Sequence, residues 1–336
     1  MSIPTNEIRL KSRPSGLPSE DDFELVETML DDPADGQLLV RNLWMSVDPY
    51  MRGRMIDAPS YIPPFQIGEA LTGAAVGVVE QSGDANFKPG DVVSHFAGWR
   101  DYALIDAATA AKVDVRKVSP QTYLGVLGFP GLAAYAGLLR IGQPKAGETV
   151  FVSAASGAVG AVVAQIAKIK GARVIGSVGS DEKAKWLKDE LGVDAVINYK
   201  TAGDMTKALA EAAPNGIDVY FDNVGGDHLE AAIAAANPFA RFALCGMIAQ
   251  YNAETLPPGP RNIYTVLTKS LTLQGFIVTN HLDLMLDFTR DVTQWIAEGR
   301  MKWRETVLDG LENAPKAFIG IFAGENFGKM LVKIGE

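Results

Sequence analysis

A strand, a turn of small residues and a helix follow one another between Thr149 and Lys170. In the turn, Ala154, Gly157 and Gly160 have the spacing of a G-x-G-x-x-G motif, with alanine at its first position. Small residues are needed there because the backbone must approach a pyrophosphate and the helix must pack close to the strand. The free N–H groups at the start of the helix favour an anion. The residues predicted to line the phosphates are Ala154, Gly157, Ala158, Val159 and Gly160.

The residues around this turn distinguish a dinucleotide site from a plain tight turn. Apolar strand segments alternate with helical segments over residues 149–278, and strands joined by helices pair in parallel. This alternation predicts an α/β fold with a Rossmann-type, doubly wound parallel sheet. Short β-rich runs separated by turns predict a mainly β domain in the first hundred residues. We predict the nucleotide-binding domain at residues 125–284 and a discontinuous, mainly β domain at residues 1–124 and 285–336.

The end of the second strand of this domain indicates which nucleotide is bound. NAD sites place an acidic residue there for the ribose hydroxyls, whereas this strand ends in Val178-Gly179-Ser180, and Lys183 follows. A neutral tip and a nearby lysine favour the additional phosphate of NADPH. The alternative interpretation of Lys183 is a solvated helix face, and the neighbouring Asp181 and Glu182 weaken its case as a phosphate ligand.

Composition excludes several other classes of function. The formal net charge is −9, which argues against a nucleic-acid partner. We expect neither a transmembrane helix nor a signal peptide, because the sequence has no apolar run of the required length at the required place. The single cysteine, Cys245, cannot form an internal disulfide, which is compatible with the cytoplasm. The three histidines, His95, His228 and His281, have no metal-ligand spacing with it, so no metal is expected.

Several motifs along the whole chain resemble the zinc-independent medium-chain dehydrogenases/reductases, in particular the prostaglandin, double-bond and bacterial curcumin reductase group. The matching stretches include Ser46-Val-Asp-Pro-Tyr-Met-Arg52, Phe221-Asp-Asn-Val-Gly-Gly226, Cys245-Gly-Met-Ile-Ala-Gln-Tyr-Asn252 and Gly324-Glu-Asn-Phe-Gly-Lys329. Zinc alcohol dehydrogenases have a Gly-His-Glu motif near the centre of their first domain, and the comparable place here, Ile67-Gly-Glu-Ala-Leu-Thr-Gly73, has no histidine. Two positions depart from the group, whose members commonly have threonine at Ala133 and methionine at Phe129.

The resemblance implies that the mainly β domain is GroES-like, that NADPH is the cofactor and that the protein is a homodimer. We expect the two copies to pair through the edge strand Leu271–Phe276. The resemblance also implies that Lys183 and Tyr199 hold the adenosine 2′-phosphate, and that Asn326 holds the cofactor from the mainly β domain. The alternative interpretation of Asn326 is a cap for the preceding turn. Phe276 and Val278 would contact the nicotinamide through their backbone. The expected cofactor contacts further comprise Ser180, Asn223 and Cys245.

The implied reaction is hydride transfer to the β-carbon of an α,β-unsaturated ketone or aldehyde, such as a curcumin-type or 15-oxoprostaglandin-type substrate. Negative charge then develops on the carbonyl oxygen, and a hydrogen-bond donor at that oxygen accelerates the reaction. Tyr251 is the expected donor, and Tyr50 is expected to line the substrate site; each could instead be an ordinary half-buried or packing tyrosine. The alternatives are an NADPH quinone oxidoreductase and a non-catalytic nucleotide-binding relative. The physiological substrate is not predicted.

Overall fold

The computed structural model describes residues 2–335, and the chain divides into two compact units. One unit comprises the chain up to Leu124 together with the segment from Glu305 onward, and the other comprises Gly125–Arg304. The predicted boundary between residues 124 and 125 therefore coincides with the structural one.

The N-terminal part of the first unit is mostly β-structure. Its elements are β1 (Ile3–Leu10), β2 (Phe23–Leu30), β3 (Gln37–Ser46), α1 (Met51–Arg54), β4 (Ala75–Ser82), β5 (Val92–His95), β6 (Tyr102–Asp106) and β7 (Ala111–Lys112).

The second unit alternates strands and helices, as the sequence predicts. Its elements are α2 (Phe129–Ala136), β8 (Thr149–Val152), α3 (Gly160–Ile169), β9 (Arg173–Val178), α4 (Asp181–Asp189), β10 (Ala195–Asn198), α5 (Met205–Ala212), β11 (Ile217–Asp222), α6 (Gly226–Ala235), β12 (Ala236–Leu244), α7 (Tyr264–Thr268), β13 (Thr272–Gly275) and α8 (Met285–Ala297).

The C-terminal segment returns to the first unit with β14 (Glu305–Asp309), α9 (Ala314–Ala323) and β15 (Lys329–Lys333). There, β15 pairs with β3, so the seven-stranded sheet has the order β14-β15-β3-β4-β5-β7, with β6 also on β3. A separate hairpin-like pair, β1-β2, completes the strands of this unit.

The second unit contains one parallel sheet of six strands in the order β10-β9-β8-β11-β12-β13. The first strand along the chain, β8, lies inside the sheet and is buried throughout, with β9 and β10 on one side and β11 to β13 on the other. This is the Rossmann strand order, so the predicted α/β fold class is confirmed. The order reverses between β8 and β11, and ligands of such sheets bind beyond the carboxyl ends of the strands at that point.

The second predicted boundary, between residues 284 and 285, is wrong: the structure places it between Arg304 and Glu305. Helix α8 packs on α2, where the Phe288 and Tyr135 rings lie 5.9 Å apart and the Tyr135 hydroxyl donates to Asp291 at 2.7 Å. An amphipathic pattern identifies the helix but not its partner, so sequence reasoning assigned α8 to the wrong unit.

Candidate active site

The turn between β8 and α3 has the geometry that its small residues predict. Ala154 adopts a left-handed backbone, with φ of 49°, at the position where the motif commonly has glycine. A Cβ added to Gly160 would lie 2.4 Å from the Ala154 carbonyl oxygen and 2.8 Å from Ala155 Cα. At Gly157 the corresponding distance to the Ala154 oxygen is 3.2 Å. Helix α3 can therefore begin against the strand only because these positions lack side chains.

The tip of β9 brings together the residues predicted to read the cofactor's 2′-position. Ser180 caps α4, and its Oγ accepts from the Lys183 N–H at 3.3 Å. A Cβ on Gly179 would lie 2.7 Å from the Tyr199 hydroxyl oxygen, so Tyr199 closes over the tip. A side chain at residue 179 would displace Tyr199, which gives a steric reason for the neutral glycine there.

Asp222 organises the turn that carries Asn223, at the carboxyl end of β11. Its Oδ1 accepts from the Tyr220 hydroxyl at 2.7 Å, the Ser153 hydroxyl at 3.2 Å and the N–H groups of Val224 and Gly225 at 2.9 and 2.8 Å. The Asn223 amide nitrogen donates to the Ser153 carbonyl at 2.8 Å and so ties this turn to the end of β8. Burial raises the pKa of Asp222 above its ordinary value.

Tyr251 lies in the segment that follows β12, beyond the carboxyl end of that strand. Its hydroxyl oxygen accepts from the Met247 backbone N–H at 3.2 Å. Burial raises the pKa of Tyr251, and the nearby Cys245 and Asp222 act in the same direction. Burial, with a contribution from Asp222, also raises the pKa of the Cys245 thiol to about 12. Both groups are therefore protonated at neutral pH.

Phe276 and Val278 follow the edge strand β13, at the same end of the sheet as Tyr251. Phe276 is buried against Phe221, with ring centroids 6.2 Å apart, and Val278 begins a short 3-10 helix. A Cβ on Gly137 would lie 2.5 Å from the Phe276 ring, so that glycine admits the ring. Of the two positions that depart from the related group, Ala133 is buried within α2 and Phe129 is exposed at its start.

The remaining predicted residues, Tyr50 and Asn326, lie in the first unit. The Tyr50 hydroxyl is buried, and burial together with the Asp48 charge raises its pKa. Lys329 anchors the loop before Tyr50, because its ammonium donates to the Val47 carbonyl at 2.8 Å and to Asp48 Oδ1 at 3.1 Å. The Asn326 amide donates to the Gly328 carbonyl at 2.9 Å, which stabilises its own turn.

Sequence reasoning missed three residues of these sites: Asp222, Lys329 and Lys200. Asp222 directly follows the apolar run Val219-Tyr-Phe221 at the end of its strand, which is a sequence signal for an internally bonded acid. Lys329 starts the apolar strand β15, and the sequence carries no sign of its partner Asp48. Lys200 directly follows the predicted phosphate ligand Tyr199 and lies close enough to influence the Lys183 pKa.

Among residues 2–335, no group of three or more His, Cys, Asp or Glu side chains is arranged to hold a metal ion. Over the same residues, no helix is sufficiently long and apolar to cross a membrane.

Comparison with known proteins places the chain in a family. The family model described as the N-terminal domain of oxidoreductase matches residues 6–113, and the model described as zinc-binding dehydrogenase matches residues 158–298.

Similar proteins extend over the whole chain. The NADPH-dependent curcumin reductase of Escherichia coli (strain K12) is 44% identical, with 97% of this chain and 95% of that protein covered. The NADP(+)-dependent 2-alkenal reductase of Nicotiana tabacum is 41% identical, with 99% and 98% covered. The crystal structure of CurA in complex with NADPH from Vibrio vulnificus superimposes with a TM-score of 0.94 at 45% identity, covering 98% of this chain and 99% of that one. The chain therefore belongs to the medium-chain dehydrogenase/reductase family, in its zinc-independent group.

Proposed function

We propose that this protein uses NADPH to reduce the carbon–carbon double bond of α,β-unsaturated ketones and aldehydes. The observation that carries the proposal is the geometry of Tyr251, whose hydroxyl oxygen already accepts a backbone hydrogen bond. Its own proton thus remains available to a substrate oxygen. The similar curcumin and 2-alkenal reductases support this substrate class.

The residues of the second unit fit NADPH. Gly160 leaves no room for a side chain at the turn that would face the pyrophosphate, and Gly179 is flanked by Tyr199 near Lys183. We assign the phosphates to Ala154, Gly157, Ala158, Val159 and Gly160. The adenosine side is assigned to Ser180, Lys183 and Tyr199, and the nicotinamide side to Asn223, Cys245, Phe276 and Val278. Asn326 is a further proposed cofactor contact.

NADPH, when bound, supplies the hydride that forms the new bond at the β-carbon. The π electrons of the double bond then move toward the carbonyl oxygen, and the α-carbon later takes a proton from water. Tyr251 stabilises the charge on that oxygen by donating its phenolic hydrogen. Its raised pKa keeps the donor protonated, and Met247 fixes the orientation of the hydroxyl group. Tyr50 is a further residue proposed to line the substrate site.

Tyr251→Phe tests this assignment because it removes the hydroxyl and keeps the ring. Turnover of an enone should fall by roughly a hundredfold, since one donor to a developing oxyanion contributes on the order of 3 kcal/mol. If a ribose hydroxyl of the cofactor also donates to the carbonyl oxygen, the loss would be only about tenfold. The affinity for NADPH, measured by fluorescence titration, should stay constant.

Tyr264→Phe is the matched control: it removes a hydroxyl from a tyrosine of the same unit that has no proposed catalytic role, and it keeps the ring, so turnover should stay unchanged. The experiment compares the steady-state rates of the wild type and the two variants with several enones and one quinone. Each rate is measured with NADPH and with its deuterated form. Unchanged enone turnover in Tyr251→Phe, with a full isotope effect on the rate, would contradict the role of Tyr251.

A homodimer joined at β13 is part of the proposal. This strand lies at the end of the sheet, and an edge strand offers unpaired backbone groups to a second copy. Large apolar side chains lie exposed beside it: Phe239 at 72%, Tyr264 at 71% and Leu267 at 72%. The Phe239 N–H donates to Lys269, directly after α7, so these residues occupy one region.

Light scattering of the wild-type protein at micromolar concentration should give twice the chain mass. Leu267→Arg should shift the mass toward the monomer, because a charge would be buried between the copies. Leu286→Arg is the control, since Leu286 is also exposed, at 85%, and lies on α8, which is not part of the proposed interface. A monomeric wild type would refute the dimer.

A cytoplasmic location completes the proposal. It is supported by the single cysteine, Cys245, which cannot form an internal disulfide, so the fold does not depend on an oxidising compartment. Fractionation of cells that express the tagged protein tests it.

A further inference from the structure

Lys200 is held at the tip of β9 by the end of the neighbouring strand. β10 runs parallel to β9 with Asn198 opposite Val178, and the Tyr199 N–H donates to the Val178 carbonyl at 3.0 Å. The Lys200 N–H donates to Asn198 Oδ1 at 3.2 Å. These contacts fix the backbone of Lys200 beside the residues predicted to read the adenosine 2′-position.

The Lys200 side chain extends over the same glycine as Tyr199. A Cβ on Gly179 would lie 2.7 Å from the Tyr199 hydroxyl oxygen and 3.3 Å from Lys200 Cε. The ammonium group of Lys200 is one bond beyond Cε. The neutral hydroxyl of Tyr199 and the cationic side chain of Lys200 thus both lie next to Gly179, which has no side chain.

Two lysine charges converge at this tip. Burial lowers the pKa of Lys183, and the positive charge of Lys200 lowers it further, against a smaller opposing effect of Glu182. Within residues 2–335, Lys200 has no carboxylate partner, whereas Lys185 pairs with Asp189 on the exposed face of α4.

The nearby acid Asp181 is hydrogen-bonded to the segment that carries Lys200. Its Oδ1 accepts from the Asn198 amide at 2.7 Å, and the same Asn198 side chain accepts from the Lys200 N–H. Asp181 therefore orients the segment that carries Lys200. Like charges held close together favour a ligand of opposite and multiple charge, and a phosphate monoester carries nearly two negative charges at neutral pH.

We propose that Lys200 is a second cationic contact for the adenosine 2′-phosphate and contributes to the preference for NADPH over NADH. The inference rests on the proposed 2′-phosphate site at Lys183 and Tyr199. It adds a residue that is exposed at the rim of that site, so its contribution is smaller than that of the half-buried Lys183 and more sensitive to salt.

The test measures dissociation constants for NADPH, NADH, 2′,5′-ADP and 5′-AMP in the wild type, Lys200→Ala and Lys183→Ala. Lys200→Ala should weaken NADPH and 2′,5′-ADP by about fivefold to tenfold at low salt, and less at high salt. NADH and 5′-AMP should bind as in the wild type. Lys200→Arg should retain most of the affinity because it keeps the charge. Lys188→Ala is the matched control, since Lys188 is an exposed lysine of α4, and should change neither ligand pair.

The outcomes separate this inference from the proposal on which it rests. If Lys183→Ala discriminates between the ligand pairs and Lys200→Ala does not, the role of Lys200 is refuted and the site at Lys183 stands. If neither variant discriminates, both assignments fail. Equal weakening of NADPH and NADH by Lys200→Ala would show a structural role and would also overturn the inference. None of these readouts depends on enone reduction.

Discussion

Gly160 illustrates how one residue controls the geometry of the phosphate turn. Its missing side chain leaves space that the Ala154 carbonyl and the Ala155 backbone occupy. Gly160→Ala must push the turn or the helix aside, and we expect a loss of about 1–3 kcal/mol in the free energy of unfolding. NADPH binding should weaken as well, because the displaced N–H groups face the proposed pyrophosphate site. Urea unfolding and cofactor titration measure the two effects.

Gly53→Ala is the control for this substitution. A Cβ on Gly53 meets no atom within 4 Å, and the residue lies in the short helix α1. Its stability should therefore stay within about 0.5 kcal/mol of the wild type. A Gly160→Ala protein with wild-type stability and affinity would mean that the turn adapts without cost.

At the scale of elements, β15 anchors the loop between β3 and α1. The Lys329 side chain is 5% exposed, and its partner Asp48 is 19% exposed. Lys329→Met would leave Asp48 Oδ1 and two carbonyl groups without their lysine donor, while the Ser46 hydroxyl still donates to Asp48 Oδ2. Removing one partner of a buried pair costs roughly 3–5 kcal/mol. We expect a decrease of that order in the free energy of unfolding, measured in urea.

Lys333→Met, at the end of the same strand, is the control and should have a much smaller effect. A double variant, Lys329→Met with Asp48→Asn, should recover part of the stability because it removes the unpaired charge. If the double variant is no more stable than Lys329→Met, the cost comes from packing and not from the charge.

At the scale of the whole molecule, each unit contains one buried histidine that resists protonation. Burial lowers the pKa of His95, in the first unit, and of His228, in the second, to about 4. In the unfolded chain both titrate near their ordinary value of 6.5. Between these values the unfolded state binds more protons, so stability is fully present above pH 6.5 and decreases as the pH falls toward 4. Each histidine should contribute on the order of 3 kcal/mol to that decrease.

This contribution is measured by comparing the wild type with the double variant His95→Asn, His228→Gln. The free energy of unfolding of each protein is determined at several pH values. Asparagine at residue 95 can still accept the Ala97 N–H that His95 Nδ1 accepts. The variant should lose less stability on acidification than the wild type. Asp222, whose raised pKa acts with the opposite sign, is common to both proteins and does not affect the difference. If the free energy of unfolding depends on pH in the same way in both proteins, groups other than these two histidines cause the loss of stability in acid.

Local patterns made much of the second unit predictable. From the sequence, the runs Arg173–Val178 and Ile217–Asp222 predict strands, and the structure has strands with these bounds. Short, mostly apolar runs between turn residues have few other structures available. Helix α2 is an instructive exception. The sequence predicts an interruption at Pro130-Gly131, whereas the proline lies in the first turn, where its missing N–H costs nothing, and the helix begins at Phe129.

The sequence by itself determined the α/β class, the phosphate turn and the neutral end of β9, since these depend on residue spacing within about one βαβ unit. Only the tertiary structure decided that α8 belongs with α2, that Lys329 pairs with Asp48, and that Lys200 lies beside Lys183. Those contacts join residues far apart in the chain or on different strands. They depend on which strands become neighbours and which apolar faces meet, and a pattern of hydrophobicity specifies that a face is buried without specifying its partner.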